Sequence, residues 1–163
     1  MNCSNYRSYL KNLEKTNEED VDYILEATKI AFNIHEGQSN EGGIPYICHL
    51  INVAKQVNSI DGKIVAILQH VFEFSDITSL NLKELGFTNN VISTIELLTQ
   101  HKEQSYDDYI LKISKNPLAT VVKIADLSVT VDCKLVPIYN QTKEFIEKCE
   151  IYKKSLFFLL NHK

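Results

Sequence analysis

Helix-breaking residues are scarce in this chain of 163 residues, which contains only three prolines and five glycines. Because proline and glycine disfavour helix interiors more than any other residue type, long helical segments are expected between them. Apolar residues recur at helical spacing along much of the sequence, and no alternation typical of a β-strand persists beyond a few residues. The sequence therefore predicts an all-α fold.

The predicted helices follow one another without a linker or an internal repeat. They are expected from a Thr16 or Asn17 N-cap through Phe32, at Tyr46–Val57, at Ile64–Phe74, from Phe87 onward, at Tyr106–Ile113, from Pro117 onward behind an Asn116 N-cap, and from Ile138 to about Leu160. A loop is predicted at His35–Pro45, where glycines cluster. The length suits a single domain spanning residues 1–163 with one hydrophobic core.

Composition and charge argue against several classes of protein. The net charge of −4 predicts no nucleic-acid partner, since nucleic-acid binding needs a basic face. No apolar run approaches the ~20 residues that cross a bilayer, and the opening residues do not resemble a secretory signal. None of the four cysteines belongs to a CxxC pair, so reduced thiols are expected. These features predict a cytoplasmic protein with no membrane partner.

Polar side chains interrupt three apolar helices: His49 in one, Gln69, His70 and Glu73 in the next, and Asp126 in a third. Buried helices rarely carry such groups unless the groups are paired or bind a metal. Two histidines and a carboxylate suit a divalent ion that activates water. His49, His70 and Asp126 are therefore a candidate metal site, and we expect them to face one cavity if the helices pack together.

Each of these residues also has a purely structural interpretation. A core histidine such as His49 or His70 can simply form a hydrogen bond with the backbone. Asp126 can form a salt bridge with a lysine such as Lys123. Spacing alone does not decide between these interpretations and a metal site.

Motifs along the chain resemble, in the same order, those of the RelA/SpoT-type HD-domain hydrolases. The matching segments are His35–Gln38, Gly43–His49, Ala66–Thr78, Leu85–Phe87, Leu97–Thr99, Tyr106–Tyr109, Asn116–Ala119 and Val122–Leu127. The resemblance covers roughly residues 20–132 and implies a helical bundle, the HD domain, around one metal ion, usually manganese. The activity it implies is removal of the 3′-pyrophosphate from (p)ppGpp, and the family includes small single-domain members.

The resemblance also implies which positions should carry the chemistry. The family's first and last metal ligands fall on His49 and Asp126, which are intact, whereas its His-Asp pair falls on Gln69 and His70. The acidic couple that serves the attacking water falls on Glu73 and Phe74, so one carboxylate remains. Less negative charge and a neutral amide weaken the binding of a hard cation.

Two further departures concern the substrate. A basic pair that handles the nucleotide falls on Asn40 and Glu41, which removes positive charge where a polyphosphate should lie. An asparagine that follows the last aspartate falls on Thr130. The losses therefore affect metal, water and substrate together.

Two hypotheses follow. The first is a catalytically impaired (p)ppGpp hydrolase homologue that needs no cofactor and binds a nucleotide, another small molecule or a protein partner. The alternative is a metal-dependent phosphohydrolase that uses manganese or another divalent ion at His49, His70 and Asp126, with Glu73 as a catalytic remnant. The apolar segment Phe157–Leu160 is interpreted as part of a terminal helix docked on the core, with homo-oligomerisation as the other reading.

Overall fold

The computed structural model describes residues 18–40, 43–131 and 142–162. These residues form nine α-helices, and the one β contact among them is an isolated antiparallel bridge between Ser39 and Pro45. The all-α prediction is confirmed. In chain order the helices are α1 (Glu18–Ile34), α2 (Tyr46–Lys55), α3 (Ile60–Leu68), α4 (Val71–Phe74), α5 (Ser79–Glu84), α6 (Asn89–Leu98), α7 (Tyr106–Ile113), α8 (Pro117–Thr130) and α9 (Lys143–Asn161).

Side-chain caps define where most of these helices begin. At six helix starts the side-chain oxygen accepts a hydrogen bond from the backbone N–H three residues later, and the capping residues are Ser59, Thr78, Thr88, Ser105, Asn116 and Thr142. Each cap of this kind typically stabilises a helix by about 1 kcal/mol. The predicted N-cap with proline at the first helical position is confirmed at the start of α8.

Helix α3 lies at the centre of the fold. Gly62 and all of Ile64–Leu68 are buried, as the apolar character of this stretch predicts. Helices α1, α2, α6 and α8 pack around α3, and α9 packs against α8. Their buried apolar side chains form one continuous core, to which Leu159 of α9 contributes. The terminal helix therefore docks on the core, as expected.

The predicted helix Ile64–Phe74 is wrong as a single element. Helix α3 ends at Leu68, Gln69 and His70 form a turn, and the short α4 follows. His70 has φ −111° and ψ 9°, which lies outside the helical region, so the regular hydrogen-bond pattern stops there. The apolar sequence continues through this break and therefore conceals it.

Other predicted boundaries also need correction. The helix expected from Phe87 begins at Asn89, since Thr88 is its N-cap. Helix α5 was not predicted, although a capping box at Thr78 starts it. The last helix begins at Lys143 behind Thr142 rather than at Ile138, and residues 132–141 lie outside the described part of the chain.

Two smaller boundaries differ as well. Helix α2 ends at Lys55 instead of Val57. Helix α1 ends at Ile34 instead of Phe32, and its predicted N-cap at Thr16 or Asn17 lies outside the described part of the chain. Within the described residues, no helix combines the length and the apolar character that crossing a membrane requires.

The cysteine expectation needs one correction. Cys48 in α2 is disulfide-bonded, so the prediction of reduced thiols is wrong at this position. Cys149 in α9 is buried. The cytoplasmic location stays a prediction.

A glycine closes helix α5 through a Schellman motif. Gly86 has φ +90°, its N–H donates to the Lys83 carbonyl, and the Phe87 N–H donates to the Leu82 carbonyl. A Cβ at Gly86 would lie 2.9 Å from the Tyr23 hydroxyl oxygen. Glycine at this position therefore serves both the turn and the close approach of α1.

We predict that Gly86→Ala lowers the free energy of unfolding by about 2 kcal/mol or more, because left-handed backbone alone costs a residue with a Cβ about 1–2 kcal/mol. The control is Gly37→Ala, where φ is +75° but no atom lies within 4 Å of the added Cβ. Urea unfolding should show a smaller loss for Gly37→Ala. Equal losses would contradict the role assigned to the Tyr23 contact.

Candidate functional site

The candidate site begins with a contact between α2 and α8, two helices that pack against each other. His49 of α2 and Asp126 of α8 are 77 positions apart in sequence, yet the His49 Nε2 atom lies 2.9 Å from Asp126 Oδ1. Their side chains are only 11% and 8% exposed. The structure therefore joins two of the three residues predicted for the metal site.

A lysine occupies the second oxygen of the same carboxylate. Lys123 lies one turn earlier in α8, and its Nζ donates to Asp126 Oδ2 at 2.9 Å in a buried ion pair. The ammonium also lies 5.4 Å from the centre of the Tyr109 ring, close enough for a cation–π interaction. The salt bridge expected as the structural interpretation of Asp126 is thus present.

The charges of this ion pair reinforce each other. Burial acts to raise the pKa of Asp126, but the Lys123 ammonium and the His49 hydrogen bond outweigh it and hold that pKa well below its usual range. Burial acts to lower the pKa of Lys123, and the Asp126 carboxylate raises it above its ordinary value instead. Both groups are therefore charged at neutral pH, and both oxygens of Asp126 are engaged.

A second histidine–carboxylate pair lies at the turn between α3 and α4. His70 Nδ1 lies 2.9 Å from Glu73 Oε2, and the backbone N–H of Gln100 donates to the other oxygen, Oε1, at 3.4 Å. Burial acts to raise the pKa of Glu73, but the hydrogen bond from His70 is among the contacts that lower it below its ordinary value. Glu73 is thus a carboxylate with both oxygens occupied.

Aromatic rings connect the two pairs. The Tyr46 ring centre lies 4.7 Å from that of His35, 5.5 Å from His49, 5.7 Å from His70 and 6.4 Å from Phe74. We call these five side chains the ring cluster. Phe74 is 50% exposed and meets both His35 and His70 edge to face. The ring cluster therefore brings all three predicted metal positions into one neighbourhood, His49 and His70 through Tyr46 and Asp126 through His49.

Sequence reasoning missed Tyr46 and His35 as members of the site. Both belong to matching segments of the family resemblance, so position in a motif was the available signal. His35 is buried, and its Nδ1 lies 2.9 Å from Gln38 Oε1. Burial lowers the pKa of His35 despite that hydrogen bond, which favours a neutral ring.

The remaining altered positions have structural roles or lie elsewhere. Asn40 Oδ1 accepts from the Ile44 N–H and so closes the loop before α2. Glu41 lies outside the described residues. The Thr130 hydroxyl donates to the backbone carbonyl of Asp126 at 2.8 Å. Gln69 is almost fully buried, and its Nε2 has no hydrogen-bond partner among the residues described.

The donor set of this site does not fit a divalent metal ion. Within residues 18–40, 43–131 and 142–162, no group of three or more His, Cys, Asp or Glu side chains is placed to hold one. Asp126 is neutralised by Lys123, and Glu73 is bound by His70. The orphaned atom of Gln69 is an amide N–H donor, which needs an acceptor and cannot act as a metal ligand.

Comparison with known proteins bears on the fold. No protein-family model matches the chain. A solved structure with a similar fold is that of a metazoan orthologue of SpoT, a protein that hydrolyses ppGpp and plays a role in starvation responses. The two share 20% sequence identity over 85% of each chain, with a TM-score of 0.70. The chain has the fold of that hydrolase. The predicted all-α HD-type fold is confirmed.

We predict that Lys123→Met lowers the free energy of unfolding by about 3–5 kcal/mol, because it leaves the buried Asp126 carboxylate without its charged partner. Adding Asp126→Asn removes the unpaired charge, so the double variant should recover most of this loss. The control is Lys115→Met, an exposed position in the turn after α7. Chemical denaturation that found Lys123→Met as stable as the unmodified protein would contradict the ion pair.

Proposed function

We propose that this chain is a RelA/SpoT-type homologue that no longer cleaves (p)ppGpp and keeps the site to bind a nucleotide or another small molecule. The observation that carries the proposal is the double engagement of Asp126, by the Lys123 ammonium on one oxygen and by His49 on the other. The similarity in fold to a ppGpp hydrolase supports the kinship.

The loss of cleavage follows from charge. In the family a divalent cation supplies the activated water, and it needs carboxylates free to bind it. The Lys123 ammonium already neutralises Asp126 and repels a second cation at that carboxylate. Phe74 stands where the resemblance expects an acid, so a proton-transfer group is missing as well. Loss of a general acid or base typically costs about 10²–10⁴ in rate.

Retention of binding follows from the ring cluster. Phe74 exposes half of its surface, although burying it would have been favourable for folding. Its ring contacts those of Tyr46, His35 and His70, which set its orientation. A fixed, exposed aromatic ring offers a stacking surface for a nucleobase, worth about 1–3 kcal/mol per base. The site therefore supports ligand binding better than hydrolysis.

The alternative function, a metal-dependent phosphohydrolase with an altered site, also has a specific observation in its favour. His49 and Asp126, two of the family's ligand positions, still lie in direct contact, and His70 and Glu73 lie beside them. An ion would have to displace Lys123 from Asp126 before this set could bind it. The hydrolysis assay with manganese in excess separates the two functions.

The first prediction of the proposal is that the unmodified protein, incubated with ppGpp and excess manganese, releases pyrophosphate at least about 10²-fold more slowly than ~1 per second. The comparison variant carries Gln69→His, His70→Asp and Phe74→Asp, which restores the residue types that the resemblance expects. Turnover near ~1 per second by the unmodified protein would support the alternative function and refute the proposal.

The second prediction concerns binding without metal. Titrating ppGpp and GDP into the chelator-treated protein, followed by calorimetry, should reveal saturable binding of at least one of them. Phe74→Ala should weaken that binding about 5- to 100-fold through loss of stacking. Leu80→Ala serves as the control, because Leu80 is 62% exposed and lies outside the ring cluster. Equal affinities for Phe74→Ala and the unmodified protein would contradict the assignment.

A further inference from the structure

A second concavity lies outside the ring cluster, between α4, α6 and α7. Its volume is about 520 Å³, within the range of roughly 300–1,000 Å³ that small-molecule sites occupy. It contains none of the residues that the family resemblance assigns to catalysis. Its chemistry is therefore independent of the function proposed above.

One part of its lining consists of hydrogen-bond acceptors. Glu96 of α6 contributes a carboxylate, one oxygen of which accepts from the Ser79 hydroxyl. The hydroxyls of Ser93 and Thr99 both donate their protons to carbonyl oxygens of α6. Each hydroxyl oxygen can therefore serve a ligand only as an acceptor. This combination of a carboxylate and two accepting hydroxyls matches the three N–H donors of a primary ammonium group.

Another part of the lining consists of donors. Lys112, in the last turn of α7, and His101, in the segment after α6, both line the concavity. Both side chains are exposed, and neither has an ion-pair or hydrogen-bond partner among the described residues. A carboxylate accepts hydrogen bonds from both an ammonium and an imidazole N–H, and the charge of the ammonium strengthens its bond.

Apolar side chains complete the concavity. Phe72 of α4 and Leu97 of α6 are partly buried, pack against the core and line it. The formal charges of Glu96 and Lys112 cancel, so a ligand with a single charge of either sign meets repulsion from one of them. A ligand that is neutral overall, but carries both charges and an apolar group, satisfies all three kinds of lining.

We propose that this concavity binds a free α-amino acid with an apolar side chain. Its ammonium group lies against Glu96, its carboxylate against Lys112, and its side chain on Phe72. The occupant is a small zwitterion, and neither an inorganic anion nor a metal cation fits the same lining.

The concavity also adjoins the ring-cluster site. Phe72 directly precedes Glu73 in α4, and Thr99 and His101 flank Gln100, whose N–H donates to Glu73. An occupant that contacts Phe72, Thr99 and His101 therefore touches the neighbours of that hydrogen bond. The amide resonance of Gln100 should move together with those of the lining residues.

The test uses amide chemical shifts of the full chain titrated with L-leucine, and in parallel with 4-methylpentanoate and 3-methylbutylamine. These two analogues lack the amino and the carboxylate group of leucine, respectively. We expect saturable shifts at Phe72, Ser93 and Thr99 with L-leucine, and affinities at least about tenfold weaker for both analogues, since each loses one charge-assisted interaction.

Matched variants separate the two charges. Lys112→Met should weaken L-leucine binding about tenfold but strengthen binding of 3-methylbutylamine, whose ammonium no longer meets that of Lys112, whereas Glu96→Gln should weaken both ligands. Lys115→Met and Glu84→Gln, exposed positions outside the lining, are the controls and should change neither affinity. The proposal is overturned if L-leucine gives no saturable shifts, if either analogue binds as tightly, or if the control variants weaken binding equally.

Discussion

The three-membered contact of Lys123, Asp126 and His49 is the constraint on which the candidate site depends. It fixes α8 against α2 through a carboxylate with no free oxygen. A buried ion pair adds little net stability, because desolvation of both charges offsets their attraction. Removing either Lys123 or Asp126 is nevertheless strongly destabilising, because it leaves the other charge buried and unpaired. The contact therefore specifies a single arrangement of the two helices. Tyr46, one turn before His49 in α2, contacts the His70 ring in the turn after α3.

That turn is the second determinant of the site. If α3 continued to Phe74, as the apolar pattern predicts, His70 and Phe74 would lie one turn apart on the same face of that helix. The helix instead stops at Gln69 and His70, and the His70 side chain, at the N-cap of α4, bonds that of Glu73 within α4. Phe74 consequently lies half exposed beside Tyr46 and His35 rather than in the core. The aromatic character of the site is thus a product of this backbone break.

The sequence predicted the helix boundaries that are set by residues close to them in the chain. Helix α7 and the start of α8 agree with the sequence-based boundaries to the residue, because their ends are set by side-chain caps and by a proline at the first helical position. The break inside Ile64–Phe74 was missed, since it leaves the apolar pattern uninterrupted. Helix α5 was missed because six residues are too few for periodicity to show.

Some residues of the candidate site could likewise be predicted from the sequence, and others could not. Polar side chains within apolar helices, together with the order of motifs, predicted His49 and Asp126 as site residues. The salt bridge between Asp126 and Lys123 was predictable from their spacing of three residues in one helix. Tyr46 contacts four other rings through tertiary packing, which the spacing of residues in the sequence does not reveal.

The central claim is that Lys123, and no metal ion, is the cationic partner of Asp126. Titration of manganese into the chelator-treated protein, followed by the electron paramagnetic resonance of free Mn²⁺, tests it most directly. The account predicts no saturable binding below about 1 mM for the unmodified protein. Binding of one ion per chain with a Kd near ~1 μM would contradict the account.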